Sequence, residues 1–183
     1  MRFKVVTFLI LFILVGLTAK AQDRSIILSG NVSKFSIDAV DNISEYAQGF
    51  GVQGTFRFLG SKGEKGGLRL NGVADFQRNN QEVFEHYMMS EGHFIDIYRD
   101  VNTYSAGAQL GYKVGPVEPF ASYLLGAERP HEALDWRLVR TVQAGVKLHI
   151  KFVELQPFRI QFRGTGRKPL ELFGYSVGAG FRF

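Results

Sequence analysis

Residues 173–183 read FGYSVGAGFRF and close the sequence. One set of alternate positions is Phe173, Tyr175, Val177, Ala179, Phe181 and Phe183; the other is Gly174, Ser176, Gly178, Gly180 and Arg182. A period of two makes a β-strand with one apolar face and one small or polar face. Taken alone, the pattern suits a strand facing a soluble core and a strand facing lipid equally.

The alternation recurs along the chain. GFGVQGTFRFLG, 49–60, puts Phe50, Val52, Gly54, Phe56 and Phe58 against Gln53, Thr55 and Arg57. LRLNGVADF sets Leu68, Leu70, Gly72, Ala74 and Phe76 against Arg69, Asn71, Val73 and Asp75. TYSAGAQLGYKV opposes Tyr104, Ala106, Ala108, Leu110 and Tyr112 to Thr103, Ser105, Gln109 and Lys113. VRTVQAGVKLHI opposes Val142, Ala144, Val146, Leu148 and Ile150 to Thr141, Gln143, Lys147 and His149, and PFRIQFRG opposes Phe158, Ile160 and Phe162 to Arg159, Gln161 and Arg163. PFASYLLGA near 119–127 is less regular, as is SIILSGNVSKF near 25–35, where Phe35 falls out of phase and a bulge before it is expected. With the terminal segment these make eight strands.

The front of the chain places it outside the cytoplasm. Basic MRFK, apolar Val5 to Leu17 and an A-x-A site at Ala19–Ala21 read as a signal peptide over 1–21. The apolar run is shorter than the roughly 20 residues a helical anchor needs. Its removal takes three basic residues and no acid, so 22 basic residues fall to 19 against 17 acidic ones. That near balance gives no ground for a nucleic-acid partner. The absence of cysteine excludes disulfides, thiolate metal sites and an N-terminal lipid acceptor.

Residues 22–183 then form one domain. The face opposite the apolar rows carries Arg57, Arg69, Asp75, Lys113, Lys147, Arg159, Arg163 and Arg182 among glycines and small polar residues, a composition that fits a crowded lumen. Aromatics gather at strand ends: Phe50, Phe76, Tyr104 and Phe173 toward one rim, Phe58, Tyr112 and Phe183 toward the other. Two aromatic rings flanking an aliphatic band are what a bilayer with two interfaces selects. A soluble lipocalin-type barrel has no reason to sort aromatics this way. Gaps also alternate, longer at 37–48, 78–102 and 129–138, shorter at 60–67, 114–118 and 151–154, as for extracellular loops and periplasmic turns. The expectation is an all-β, eight-stranded antiparallel up-and-down transmembrane β-barrel with both termini in the periplasm.

A signal peptide, eight alternating strands and a final aromatic-x-aromatic, Phe181-Arg182-Phe183, resemble the small outer-membrane β-barrel family of the OmpA transmembrane domain and OmpX. The resemblance spans the whole of 22–183. It implies that the last strand, through Phe173, Tyr175, Phe181 and Phe183, is read by the barrel-assembly machinery, and that outer-membrane lipid surrounds a monomer. OmpA-like proteins often continue into a peptidoglycan-binding domain; the sequence stops at Phe183, so cell-wall tethering is not carried over.

Function is less legible, because a barrel is a scaffold. GFGVQG, 49–54, matches G-x-G-x-x-G but runs into a strand and opens no helix, so no dinucleotide cofactor is expected. GSKGEKGG lacks the ending of a phosphate loop. Lipid A-modifying chemistry would need a histidine beside a serine and a carboxylate. His149 faces the lumen and lacks a neighbouring serine in sequence; His86, His93 and Asp96 share the long loop at a spacing that fits no metal-ligand motif. No catalytic, cofactor or metal residue is assigned. A narrow anion-favouring pore is a second alternative, although eight strands leave only room for side chains and the lumen bases have Asp75, Glu118 and Glu128 as counter-charges. The leading expectation is a structural or surface-binding barrel plugged by polar side chains. Residues 78–102, where aromatics and methionines interleave with charges, are the candidate surface for an extracellular partner, or else an extension of two strands packed on itself.

Overall fold

A computed structural model describes residues 24–36, 44–60, 66–83, 97–130, 136–165 and 172–183. The signal peptide over 1–21 lies outside the described residues. Eight strands follow one another, β1 (Arg24–Ser36), β2 (Ser44–Gly60), β3 (Gly67–Val83), β4 (Ile97–Lys113), β5 (Val117–Pro130), β6 (Arg137–Ile150), β7 (Val153–Thr165) and β8 (Leu172–Arg182). Each pairs antiparallel with its neighbours, and β8 pairs with β1, so the sheet is a closed barrel. Closure removes the edges that would leave backbone donors and acceptors open.

The register fixes the strand tilt. A line of partners from Arg24 runs through Phe56, Gly72, Ala108, Tyr123, Val142, Phe162 and Phe173 and re-enters β1 at Lys34. A stagger of ten residues over eight strands demands tilted strands and leaves an interior that side chains can fill.

One rim carries the tight connections. Val114 and Val117 exchange backbone hydrogen bonds of 2.8 and 3.1 Å around Gly115, whose φ of 58° suits glycine. Between β6 and β7 only residues 151–152 intervene. At the same rim Arg24 and Phe183 exchange backbone hydrogen bonds of 2.9 Å, tying the last residue to the first strand.

Three features differ from the sequence expectations. The gaps placed at 37–48 and 78–102 shrink to 37–43 and 84–96, because β2 begins at Ser44 and the β3–β4 ladder continues through Arg78↔Asn102 to Val83↔Ile97. Pairing extends as far as both chains stay extended, and polar residues extend as well as apolar ones once no core selects them. Secondly, β1 has no bulge before Phe35; its register runs unbroken to Ser36. Thirdly, bulges occur where alternation looked smooth, in β2 between Arg57 and Leu59 and in β7 between Gln156 and Arg159. In β7 the extra residue lies beside Pro157, which cannot donate to a ladder. Pro157 and Phe158 both face outward, and the phase resets so that Glu154, Gln156, Arg159, Gln161 and Arg163 all face in.

Candidate functional site

The lumen is packed from rim to rim, mostly with polar side chains, among which Ile27, Val73, Phe120 and Leu124 are also buried. At the short-turn end, Arg69 Nη1 stands 3.0 Å from Glu118 Oε2 and His149 Nε2 stands 2.9 Å from the same oxygen. His149 Nδ1 is 3.3 Å from Glu154 Oε2, and Lys147 Nζ is 3.1 Å from Glu154 Oε1. Ser25 Oγ donates to Glu154 Oε1 at 3.0 Å and lies 2.6 Å from Thr55 Oγ1. Gly111 makes the room, since a Cβ there would stand 2.6 Å from Glu118 Oε1. Arg57 and Arg182 line the mouth of this cluster with Asn71, around a cavity of about 20 Å3, enough for a water molecule.

Above it lies a layer of amides. Gln53 Nε2 donates to Gln143 Oε1 at 3.2 Å, Gln143 Nε2 to Asp75 Oδ2 at 3.3 Å, and Asn71 Nδ2 to Gln109 Oε1 at 3.3 Å. Toward the loop rim, Arg159 Nη1 pairs with Asp75 Oδ1 at 3.2 Å while its Nε donates to Ser176 Oγ at 2.6 Å. Gln77 and Gln161 exchange amide hydrogen bonds of 2.8 and 3.0 Å. Arg163 Nη2 donates to Gln77 Oε1 at 2.9 Å, and its Nη1 faces Glu128 Oε2 at 3.6 Å. Charges this deeply buried persist only when paired and hydrogen-bonded.

Of the charged residues taken from the alternation, Arg69, Asp75, Lys113, Lys147, Arg159 and Arg163 are buried inside the barrel. Arg57 is half-buried beside its bulge, and Arg182, also half-buried, donates to the Lys151 carbonyl at 3.0 Å at the rim. The sequence reading missed Glu154, because it assigned 151–154 to a turn, whereas β7 begins at Val153 and Glu154 pairs with His149. It also missed Ser25, a neighbour of His149 only through the fold. His86, His93, Asp96 and His131 lie outside the described residues, and no group of three or more His, Cys, Asp or Glu able to hold a metal ion occurs among the described ones.

The outer wall is apolar, with Leu28, Val32, Leu110, Leu125, Val142, Val177 and Phe181 each between 47 and 62 % exposed. Toward the loop rim, rings follow one another from Phe50 to Phe76 (6.3 Å between centroids), Tyr104 (5.0 Å) and Trp136 (5.8 Å). On the far side Phe162 meets Phe173 at 5.0 Å and Phe173 meets Tyr175 at 4.7 Å. Phe56 with Phe58 and Phe152 with Phe181 mark the short-turn rim. Tyr175, Phe181 and Phe183 are exposed on the outer face of β8, and Phe173 is half-buried there.

No protein-family profile and no curated protein sequence matches the chain. Solved structures do match. Ail, the attachment invasion locus protein of Yersinia pestis, aligns over 88 % of this chain and 98 % of its own at 14 % identity, TM-score 0.53. Neisserial surface protein A aligns over 87 % and 95 % at 16 % identity, TM-score 0.52. The outer membrane enzyme PagL aligns over 86 % and 98 % at 11 % identity, TM-score 0.50. Identities this low speak to the fold, which these proteins share with the chain.

Proposed function

We propose that the chain is exported after cleavage behind Ala21, is inserted into the bacterial outer membrane by the barrel-assembly machinery reading β8, and serves there as a monomeric structural or surface-binding barrel with a plugged lumen. In this reading the apolar outer wall meets lipid, the aromatic rings sit at its two interfaces, and the short turns face the periplasm. The similar barrels named for attachment and for the cell surface are grounds for a role at the loop rim, where residues 78–102, of which 84–96 lie outside the described residues, are the candidate partner surface.

The observation that carries the plugged reading is the absence of accessible surface on Gln53, Gln109, Gln143, Gln156 and Arg159 in mid-lumen. A continuous aqueous path would wet the residues lining it. The same packing weighs against the narrow anion-favouring pore despite its basic lining. Lipid A chemistry would need a ring nitrogen on a serine hydroxyl; at His149, the one histidine among the described residues, both nitrogens face carboxylates and Ser25 donates to Glu154. Ion conductance in planar bilayers tests the plug. The expected result is no steady unitary current at neutral pH; a stable open level of reproducible size would contradict it.

A further inference from the structure

Hydrogen bonding along the lumen is uneven. In mid-lumen the side-chain amide nitrogens of Gln53, Gln109, Gln143 and Gln161 all donate. Among the described residues, Gln156 Oε1 is the one buried side-chain atom there that makes no hydrogen bond. Toward the loop rim the unbonded atoms are Asn31 Nδ2, Ser33 Oγ, both amide atoms of Asn79, Thr103 Oγ1, Thr141 Oγ1, and Arg163 Nε and Nη1. These six residues are at most 3 % exposed.

The six form one layer. Asn31, Gly49 and Asn79 are successive register partners, Thr141 pairs with Arg163, Ser33 with Gly174 and Thr103 with Glu128. With the stagger spread evenly over eight strands, the six lie within about three residues of a common height. At that height the inward positions of β2, β5 and β8 are Gly49, Gly126 and Gly174. Glycine offers its neighbours no side-chain partner, and the backbone itself closes the space. A Cβ at Gly49 would stand 2.4 Å from Asn79 Oδ1, and one at Gly174 2.9 Å from Ser33 Oγ. Arg163 Nη1 reaches Glu128 Oε2 only at 3.6 Å.

Polar groups held away from water without hydrogen bonds raise the free energy of the arrangement that buries them. Hydration removes that cost here and removes little from the bonded layers beneath. We propose that the loop-rim layer is poised to open: Asn31, Ser33, Asn79, Thr103, Thr141 and Arg163 rearrange to admit water from the loop rim, while the Asp75–Arg159 pair and the amides below it stay sealed. The inference rests on the plugged-lumen reading given under Proposed function and confines the seal to mid-lumen. Opening asks only for side-chain rotation, since the strand ladders are made by backbone groups. Two members stay tethered to the floor, Arg163 through Nη2 to Gln77 Oε1 at 2.9 Å and Asn31 through Oδ1 to Arg159 Nη2 at 3.4 Å.

The sequence contains no cysteine, so a single introduced thiol reports one position. Thr103→Cys and Thr141→Cys probe the layer. Ser122→Cys probes the sealed part, where the native hydroxyl accepts from Gln109 Nε2 at 3.1 Å. Each full-length variant is purified from membranes in detergent, its assembly is checked by the heat shift on SDS gels, and its modification by a small charged methanethiosulfonate is followed by mass spectrometry. In the folded barrel both threonine-site variants should react about tenfold faster than Ser122→Cys or more, and all three should react alike once unfolded by heat. Ser33→Cys takes the place of either variant that does not assemble. Layer positions as slow as Ser122→Cys would overturn the proposal and leave the plugged lumen standing. Reaction of folded Ser122→Cys at the rate of the unfolded chain would overturn both.

Discussion

Arg159 has no accessible surface, and among the described residues Asp75 is the carboxylate paired with its guanidinium, 3.2 Å away. Removing one partner of a buried pair strands the other, at a cost of about 3–5 kcal/mol. Asp75→Ala should therefore lower the unfolding free energy of the refolded protein by that amount, obtained from urea titration followed through the fluorescence of the single tryptophan, Trp136. A change below about 1 kcal/mol would mean that Ser29, Asn31 and Ser176, which also face Arg159, carry the charge without Asp75. Alternation tells which face such a residue takes, because period two is local. It does not tell the partner. Asp75 and Arg159 are 84 positions apart, and Ser25 and Glu154 are 129 apart, so their meeting depends on closure and stagger. The cluster around His149 was illegible for that reason.

Strand β8 carries two jobs in this account, and they are separable. It closes the barrel through ladders with β1 and β7, which backbone groups make whatever the side chain. Its outward aromatics Phe181 and Phe183, 62 and 65 % exposed, contribute little to packing within the chain. Phe183→Ala should reduce the assembled fraction in cells several-fold while leaving refolding in detergent near the wild-type yield; equal losses in both settings would make Phe183 a structural residue and remove the recognition role. Strand existence was legible almost throughout, since eight runs of alternation precede any coordinate. Strand length was not, because β3 and β4 continue through Arg78 to Val83 and Ile97 to Asn102, where no apolar row marks the ladder. Nor was phase beyond a bulge: Pro157 is the one sequence mark that β7 resets, and Phe35 mimics a bulge that β1 does not have.

Closure, stagger and side-chain volume together decide what the barrel can do. Eight strands enclose only enough space for side chains, and here glutamines and ion pairs occupy it. Carboxylates are drawn inward to neutralise the lumen arginines and lysines. The lipid-facing wall and the aromatic belts presuppose that the protein is a closed barrel in a membrane. The most direct measurement is the mobility of the membrane-fraction protein on SDS gels with and without boiling. The account predicts a compact, faster band that shifts to the mass of the unfolded chain on heating, because a fully paired sheet with no edge resists SDS at room temperature. A protein recovered from the soluble periplasmic fraction, running at one position before and after boiling, would contradict it.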